Sequence, residues 1–280
     1  SVRLINQGYR ADEIAETLKL PKTLQQSFSN RGYYGTLRHN SKAIYQHYMG
    51  WYDANPANLN PLPVSTSATR YIKLMGGTQP VLDAAKTAYE QGEYRWVAEL
   101  LNKLVFADPN NQSVKNLLAQ TYDQLGYQSE SGPWRDMYLS AAMELRKGKP
   151  KEKLDPSLMT NILQKTSSEY FMDLISVHLD GQTAEDINLM FNFTFSDTDE
   201  NFIITINNSV FHYQASIVDP NANATVKISR ALFLDLITKK QPVAMALFSD
   251  HFQLEGSKLD FLKFLRLLKT SDSHFNIVTP

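Results

Sequence analysis

The chain has 280 residues, an apolar fraction of 42%, a charged fraction of 20% and a formal net charge of −1, a profile that suits a soluble protein of one large or two ordinary domains. Its 28 basic and 29 acidic side chains leave no basic excess for nucleic acid or an anionic membrane. It has no cysteine, which excludes disulfides, a thiolate nucleophile and Cys-held zinc or iron–sulfur, and no apolar run reaches the roughly 18 residues of a transmembrane helix.

Residues 1–28 read as two short helices. The first carries Ile14, Ala15 and Leu18 at helical spacing, with Asp12 and Glu13 in its first turn, where the helix dipole favours acids. Pro21 closes it and opens the second. Residues 32–56, GYYGTLRHNSKAIYQHYMGWYDANP, crowd Tyr, Trp, His, Arg and Lys into one stretch. Each Tyr or Trp offers an apolar body and a polar tip that wants a partner. Beside Arg38, His39 and Asn40, such rings can line a pocket for an anion with an oily tail. The other reading is a buried helix whose Tyr hydroxyls meet backbone groups. The spacing predicts a helix over 41–52 with Ser41 as its cap. Pro56, Pro61 and Pro63 stiffen the loop that follows.

From 69 to 149 the pattern is helical throughout: 71–75, broken by Gly76-Gly77, then 81–91, 93–107, 112–125 and 131–146. The middle of this run is similar to a tetratricopeptide unit, with Ala88, Ala98 and Ala119 allowing close packing and Asp108-Pro109-Asn110 separating two helices. About one and a half units are present, too few for a free solenoid, so a local helix stack is expected. Residues 148–156, GKPKEKLDP, form the best linker, dividing a domain of 1–150 from one of 151–280.

Beyond the linker the period changes. Helices are predicted over 157–164 and 169–179. Residues 186–196 alternate, with Ile187, Leu189, Phe191, Phe193 and Phe195 on one face. Further strands follow over 201–207, 209–216 and 224–229, the first two joined at Asn207-Asn208. Ser229 caps a helix over 230–238; a helix over 242–249, a short strand at HFQLEGS and a helix over 258–268 complete the chain. The expected fold is an all-α domain followed by an α+β domain with an antiparallel sheet. Its aromatic inner face, from Phe191 through Phe248 to Phe264, either packs solid or encloses a channel for a lipid-like chain.

The run GYYGTLRHNSKAIYQHYMGWYDANPANLNPLP, preceded by INQGYRADEIAETLKLP, resembles the start of the dimerisation domain of alkyl sulfatases that carry a metallo-β-lactamase-type catalytic domain. Residues 157–280 resemble in pattern the sterol-carrier-protein-2 fold that forms the C-terminal domain of that family. The resemblance implies a bacterial, periplasmic or secreted zinc-dependent enzyme that degrades detergent-like alkyl sulfate esters to alcohol and sulfate. It implies a homodimer, and a catalytic domain upstream of Ser1 that holds the zinc. Within this chain it implies His39 as sulfate-side donor or general acid, with Arg38 and Asn40 beside it and Tyr33, Tyr34, Tyr45 and Tyr52 as further substrate contacts.

The residues themselves offer no other chemistry. The six histidines form no HxH or HExxH, so no metal is expected in this chain. No G-x-S-x-G and no glycine-rich phosphate loop occurs. The acidic clusters at Asp12/Glu13/Glu16, Glu185/Asp186 and Asp197/Asp199/Glu200 fall at helix starts and turns, where carboxylates cap or face water. The chain alone is therefore expected to be inactive. The alternative function is a non-catalytic lipid-binding scaffold with a helical interaction domain.

Overall fold

The computed structural model describes residues 1–151, 165–238, 240–246, 249–269 and 274–280. Chain contacts divide it into two units: Ser1–Lys151 together with His274–Pro280, and Glu152–Ser273. The helix predicted over 157–164 and Phe248 lie outside the described residues.

In the first unit, α1 (Val2–Ile5), α2 (Ala11–Thr17) and α3 (Lys22–Gln25) precede α4 (Leu37–Met49). The helix α4 starts four residues earlier than its predicted cap. Thr36 is the cap, its Oγ1 accepting from the His39 N–H at 2.9 Å. Ser41 sits inside the helix, buried, its hydroxyl donating to the Arg38 carbonyl at 2.8 Å. A mid-helix serine with that local bond resembles a cap in sequence. Gly50, at φ 73°, ends the helix. A small core of Leu4, Ile14 and Tyr45 joins α1 and α2 to α4.

A second core fills the helix stack of α5 (Val64–Leu74), α6 (Thr78–Glu90), α7 (Tyr94–Ala107), α8 (Gln112–Tyr127) and α9 (Gly132–Lys147). Val97, Leu101, Leu104, Val105, Val114 and Leu118 are fully enclosed there, and Ala85, Ala88 and Ala119 permit the close approach. The helix α5 begins seven residues before the predicted start, because Ala68 and Ile72 bury a stripe that its Val and Thr residues had obscured. Gly76 and Gly77, at φ 91° and 100°, break the run as expected. The tail 274–280 returns to this unit. One Glu144 carboxylate accepts from the N–H groups of Ile277 (2.9 Å) and Val278 (3.0 Å) and from the Thr279 hydroxyl (3.1 Å).

The second unit holds α10 (Ser168–Ser176), β1 (Leu189–Phe195), β2 (Glu200–Asn207), β3 (Val210–Ala215), β4 (Ala224–Ile228), α11 (Arg230–Ile237), α12 (Val243–Ala246), β5 (Phe252–Gly256) and α13 (Lys258–Leu267). Strand order is β3-β2-β1-β4-β5. The sheet is mixed, not antiparallel: β1 and β4 run parallel, Phe191 opposite Ala224 and Phe195 opposite Ile228. Alternation predicts strands but not their direction. Here the loop after β3 carries the chain back along the sheet, so that β4 starts at the same end as β1. The tight turn falls at Asn208-Ser209, both at positive φ, one residue later than Asn207-Asn208. Phe191, Phe193, Phe195, Phe233, Phe261 and Phe264 pack on one another with ring centroids 5.1–6.4 Å apart, so this face is filled by its own rings.

Candidate functional site

The loop before α4 is stapled to the start of α9. The Tyr33 carbonyl accepts from the Gly132 N–H at 2.8 Å, and the Tyr34 carbonyl accepts from the Ser131 hydroxyl at 2.6 Å. Ser131 also caps α9, accepting from the Trp134 N–H at 3.4 Å. Arg31 pairs with Glu130 and lies over the Tyr33 ring at 5.1 Å, and Phe28 meets Tyr33 at 5.0 Å. Two long helices, α4 and α9, thus begin on the same loop. The first N–H groups of α9 are already taken, Gly132 by Tyr33 and Trp134 by Ser131 around Pro133, and on α4 the His39 N–H is held by Thr36, so what the two starts offer an anion is the positive end of each helix dipole.

His39 stands on this face, exposed, with the Trp134 ring edge-on at 6.4 Å. Asn40 lies beside it on α4, its amide against Gly35, where an added Cβ would come within 3.2 Å of Oδ1. Tyr34 is 82% exposed and Tyr33 39%. His39, Asn40, Tyr33 and Tyr34 are therefore brought to one end of α4. Arg38 is turned to α2, where its guanidinium meets Glu16 at 2.9 Å; Arg95 holds the same carboxylate at 2.9 Å. Together with Thr36 and Leu37, Arg38 borders an open hollow of 340 Å³. Tyr45 is buried with Leu4 and Ile14 and serves that core. Tyr52 lies past the far end of α4, about 20 Å of helix away, its ring 5.5 Å from Trp51. Next to it, the Asp53 carboxyl is held below its usual range by the Asn55 N–H, then by the Asn58 amide.

Large apolar side chains are exposed on α4 and just beyond it. Tyr48 is 63% exposed and Trp51 73%, and Ile44, His47 and Tyr48 line an open hollow of 520 Å³ with Ser1, Val2 and Ala43. Sequence reasoning missed Trp134, Ser131 and Glu16. All three reach the segment from distant parts of the chain, and no local spacing announces them.

Among the described residues no three or more His, Cys, Asp or Glu gather as a metal site. No helix among them is long and apolar enough to cross a membrane.

Comparison with known proteins places these features in context. Residues 10–148 match the family model for alkyl sulfatase dimerisation, and residues 156–280 that for the alkyl sulfatase C-terminal region. The chain is 42% identical over its whole length to an alkyl/aryl-sulfatase of Saccharomyces cerevisiae, of which it covers 43%. It is 40% identical to a linear primary-alkylsulfatase of Pseudomonas sp., of which it covers 42%. A solved structure of a stereoselective inverting sec-alkylsulfatase from Pseudomonas sp. superposes with a TM-score of 0.91 at 35% identity, over the whole chain and 44% of that structure. The chain thus spans less than half the length of these relatives.

Proposed function

Since the chain belongs to the alkyl sulfatase family, through both the dimerisation and the C-terminal part, we propose that it is the supporting portion of an enzyme that hydrolyses alkyl sulfate esters to an alcohol and sulfate. Water splits the C–O–S link: its oxygen goes to sulfur, and the departing alkoxide takes up a proton, or it goes to carbon, and sulfate departs while the new alcohol sheds one, the course that inversion in the sec-alkylsulfatase relative corresponds to. Zinc, as the Lewis acid and source of activated water, belongs to the portion of the family outside these 280 residues. The residues of this chain form one wall of the sulfate pocket, the surface for a second copy and apolar ground for the alkyl chain. The compartment, periplasmic or secreted, follows family habit.

One observation carries the reading: exposed His39 sits between two helix starts joined by one loop, beside Trp134. The positive ends of two helix dipoles favour a sulfate there without a full counter-charge. His39 is a donor to a sulfate oxygen or to the leaving oxygen, worth about 10²–10⁴-fold if it supplies the proton. Asn40 adds a neutral donor, and Tyr33 and Tyr34 flank the ester. Arg38 reaches the anion only when its pair with Glu16 opens. Tyr45 supports α4 from inside, and Tyr52 contacts substrate only at a remove from His39. The exposed Ile44, Tyr48 and Trp51 side suits the second copy.

The test joins this chain to the portion of the Pseudomonas linear primary-alkylsulfatase outside the match and follows sulfate release from dodecyl sulfate. The joined protein should be active, the chain alone inactive, and His39→Ala should lower kcat at least about 100-fold. Sulfate release by the chain alone sinks the division of labour. Full activity of His39→Ala removes His39 from the site. A chain that binds dodecanol but gives no active joined protein favours a lipid-binding scaffold.

A further inference from the structure

A second concave surface lies in the helical unit, apart from the His39 face. It is a groove of 1090 Å³ between α8, α9 and the returning tail, at the upper end of the size of small-molecule sites, about 300–1,000 Å³. Met137, Tyr138 and Met143 line it from α9, and Phe275 and Ile277 from the tail. Several of these are well exposed, Met137 at 63% and Ile277 at 68%. Methionines give an apolar wall that adapts to a flexible chain.

The mouth has the opposite character. Lys147, Lys149 and Lys151 follow one another at alternate positions where α9 ends, and all three border the groove. The end of α9 contributes about half a negative charge, which three ammonium groups outweigh. The acidic side chain within the groove, Glu144, is already committed to the tail through its bonds to Ile277, Val278 and Thr279. The Tyr122 phenol is pushed up to about 12 by burial, then by Tyr138 and Glu144, and stays neutral at physiological pH. The Lys149 ammonium also donates to the His274 carbonyl at 3.1 Å, which ties the charged mouth to the apolar tail. An apolar trough with a cationic mouth matches a molecule with an apolar body and an anionic end.

We propose that this groove binds one anionic amphiphile, its straight alkyl tail along Met137, Met143 and Ile277 and its head group among Lys147, Lys149 and Lys151. The site is separate from the His39 face and requires no hydrolysis. It gives the chain a second place to hold a substrate-like anionic amphiphile, lined by none of the residues assigned to the His39 site.

Calorimetric titration of the 280-residue chain with dodecanoate, below its micelle concentration, tests this. Dodecanoate carries no sulfate ester, so its binding is independent of the sulfatase reading. The expected result is saturable binding of one molecule per chain. Dodecanol and dodecyltrimethylammonium should bind at least about tenfold more weakly. The double variant K147E/K151E should weaken dodecanoate about tenfold or more while leaving the circular dichroism spectrum unchanged. Met143→Asp, at an exposed position, should do the same; if it fails to fold, the lysine pair still decides. Equal binding of all three ligands, or unchanged affinity in the lysine variant, overturns the proposal. Binding only to phosphatidylglycerol vesicles makes the groove a membrane-facing surface and overturns it too. So does an absence of dodecanoate binding together with a Met143→Asp shift in sedimentation mass, which marks an interface between copies.

Discussion

A single hydroxyl organises much of the candidate site. Ser131 donates to the Tyr34 carbonyl and accepts from the Trp134 N–H, while only 2% exposed. Replacing it removes a helix cap and leaves a carbonyl without its partner. Ser131→Ala should therefore cost about 1–2 kcal/mol in urea unfolding, and amide exchange at Gly132 should quicken as the Tyr33–Tyr34 loop loosens. An unchanged midpoint and unchanged exchange would mean that the loop is held elsewhere. The residue scale is also where the sequence was least informative. Its crowding of rings marked the right segment. Helical spacing sets Tyr45 one step round from the stripe of Ile44, Tyr48 and Tyr52, but it could not show that the Tyr45 side faces the core and the Tyr48 side faces out. Nor could it show that Arg38 is engaged by Glu16, 22 residues earlier.

Elements were far easier to read than their pairing. The helices from α6 to α9 and the strands β1 to β5 follow from period and punctuation within a few residues, since an apolar stripe must match its element's repeat. The starts of α4 and α5 did not follow, because a buried serine mimicked a cap and β-branched residues blurred a helical turn. Strand direction was illegible, since alternation is the same for parallel and antiparallel neighbours. The position where β5 meets β4 shows how tight such pairing can be. Gly256 lies at φ 96°, and an added Cβ would fall 2.6 Å from the Asn223 carbonyl oxygen and 2.9 Å from the Ala224 Cα. Both are backbone atoms, so no side chain can swing away. Gly256→Ala should cost about 1–3 kcal/mol, read as a lower thermal midpoint of the strand signal. A midpoint equal to that of the parent would show that the edge strand shifts freely.

At the scale of the molecule, each unit has its own core, and the tail belongs with the first. Deleting 274–280 strips Glu144 of three donors and uncovers the side of α9. The loss should be about 1–2 kcal/mol, since bonds to a charged group are offset by the freedom the tail regains. The chain's three tryptophans, Trp51, Trp96 and Trp134, all lie in the helical unit, so their fluorescence reports its unfolding. An unchanged fluorescence midpoint would show the tail to be a passenger. The parallel pairing of β1 with β4 has a consequence for synthesis. Every residue of β1 that pairs with β4 waits for a partner made 33 residues later. At ribosomal rates that is roughly 2–7 s. During this interval a strand bearing Phe191, Phe193 and Phe195 keeps one edge open, a template for pairing with other nascent chains. The hairpin of β2 and β3, made first, can shield only the other edge.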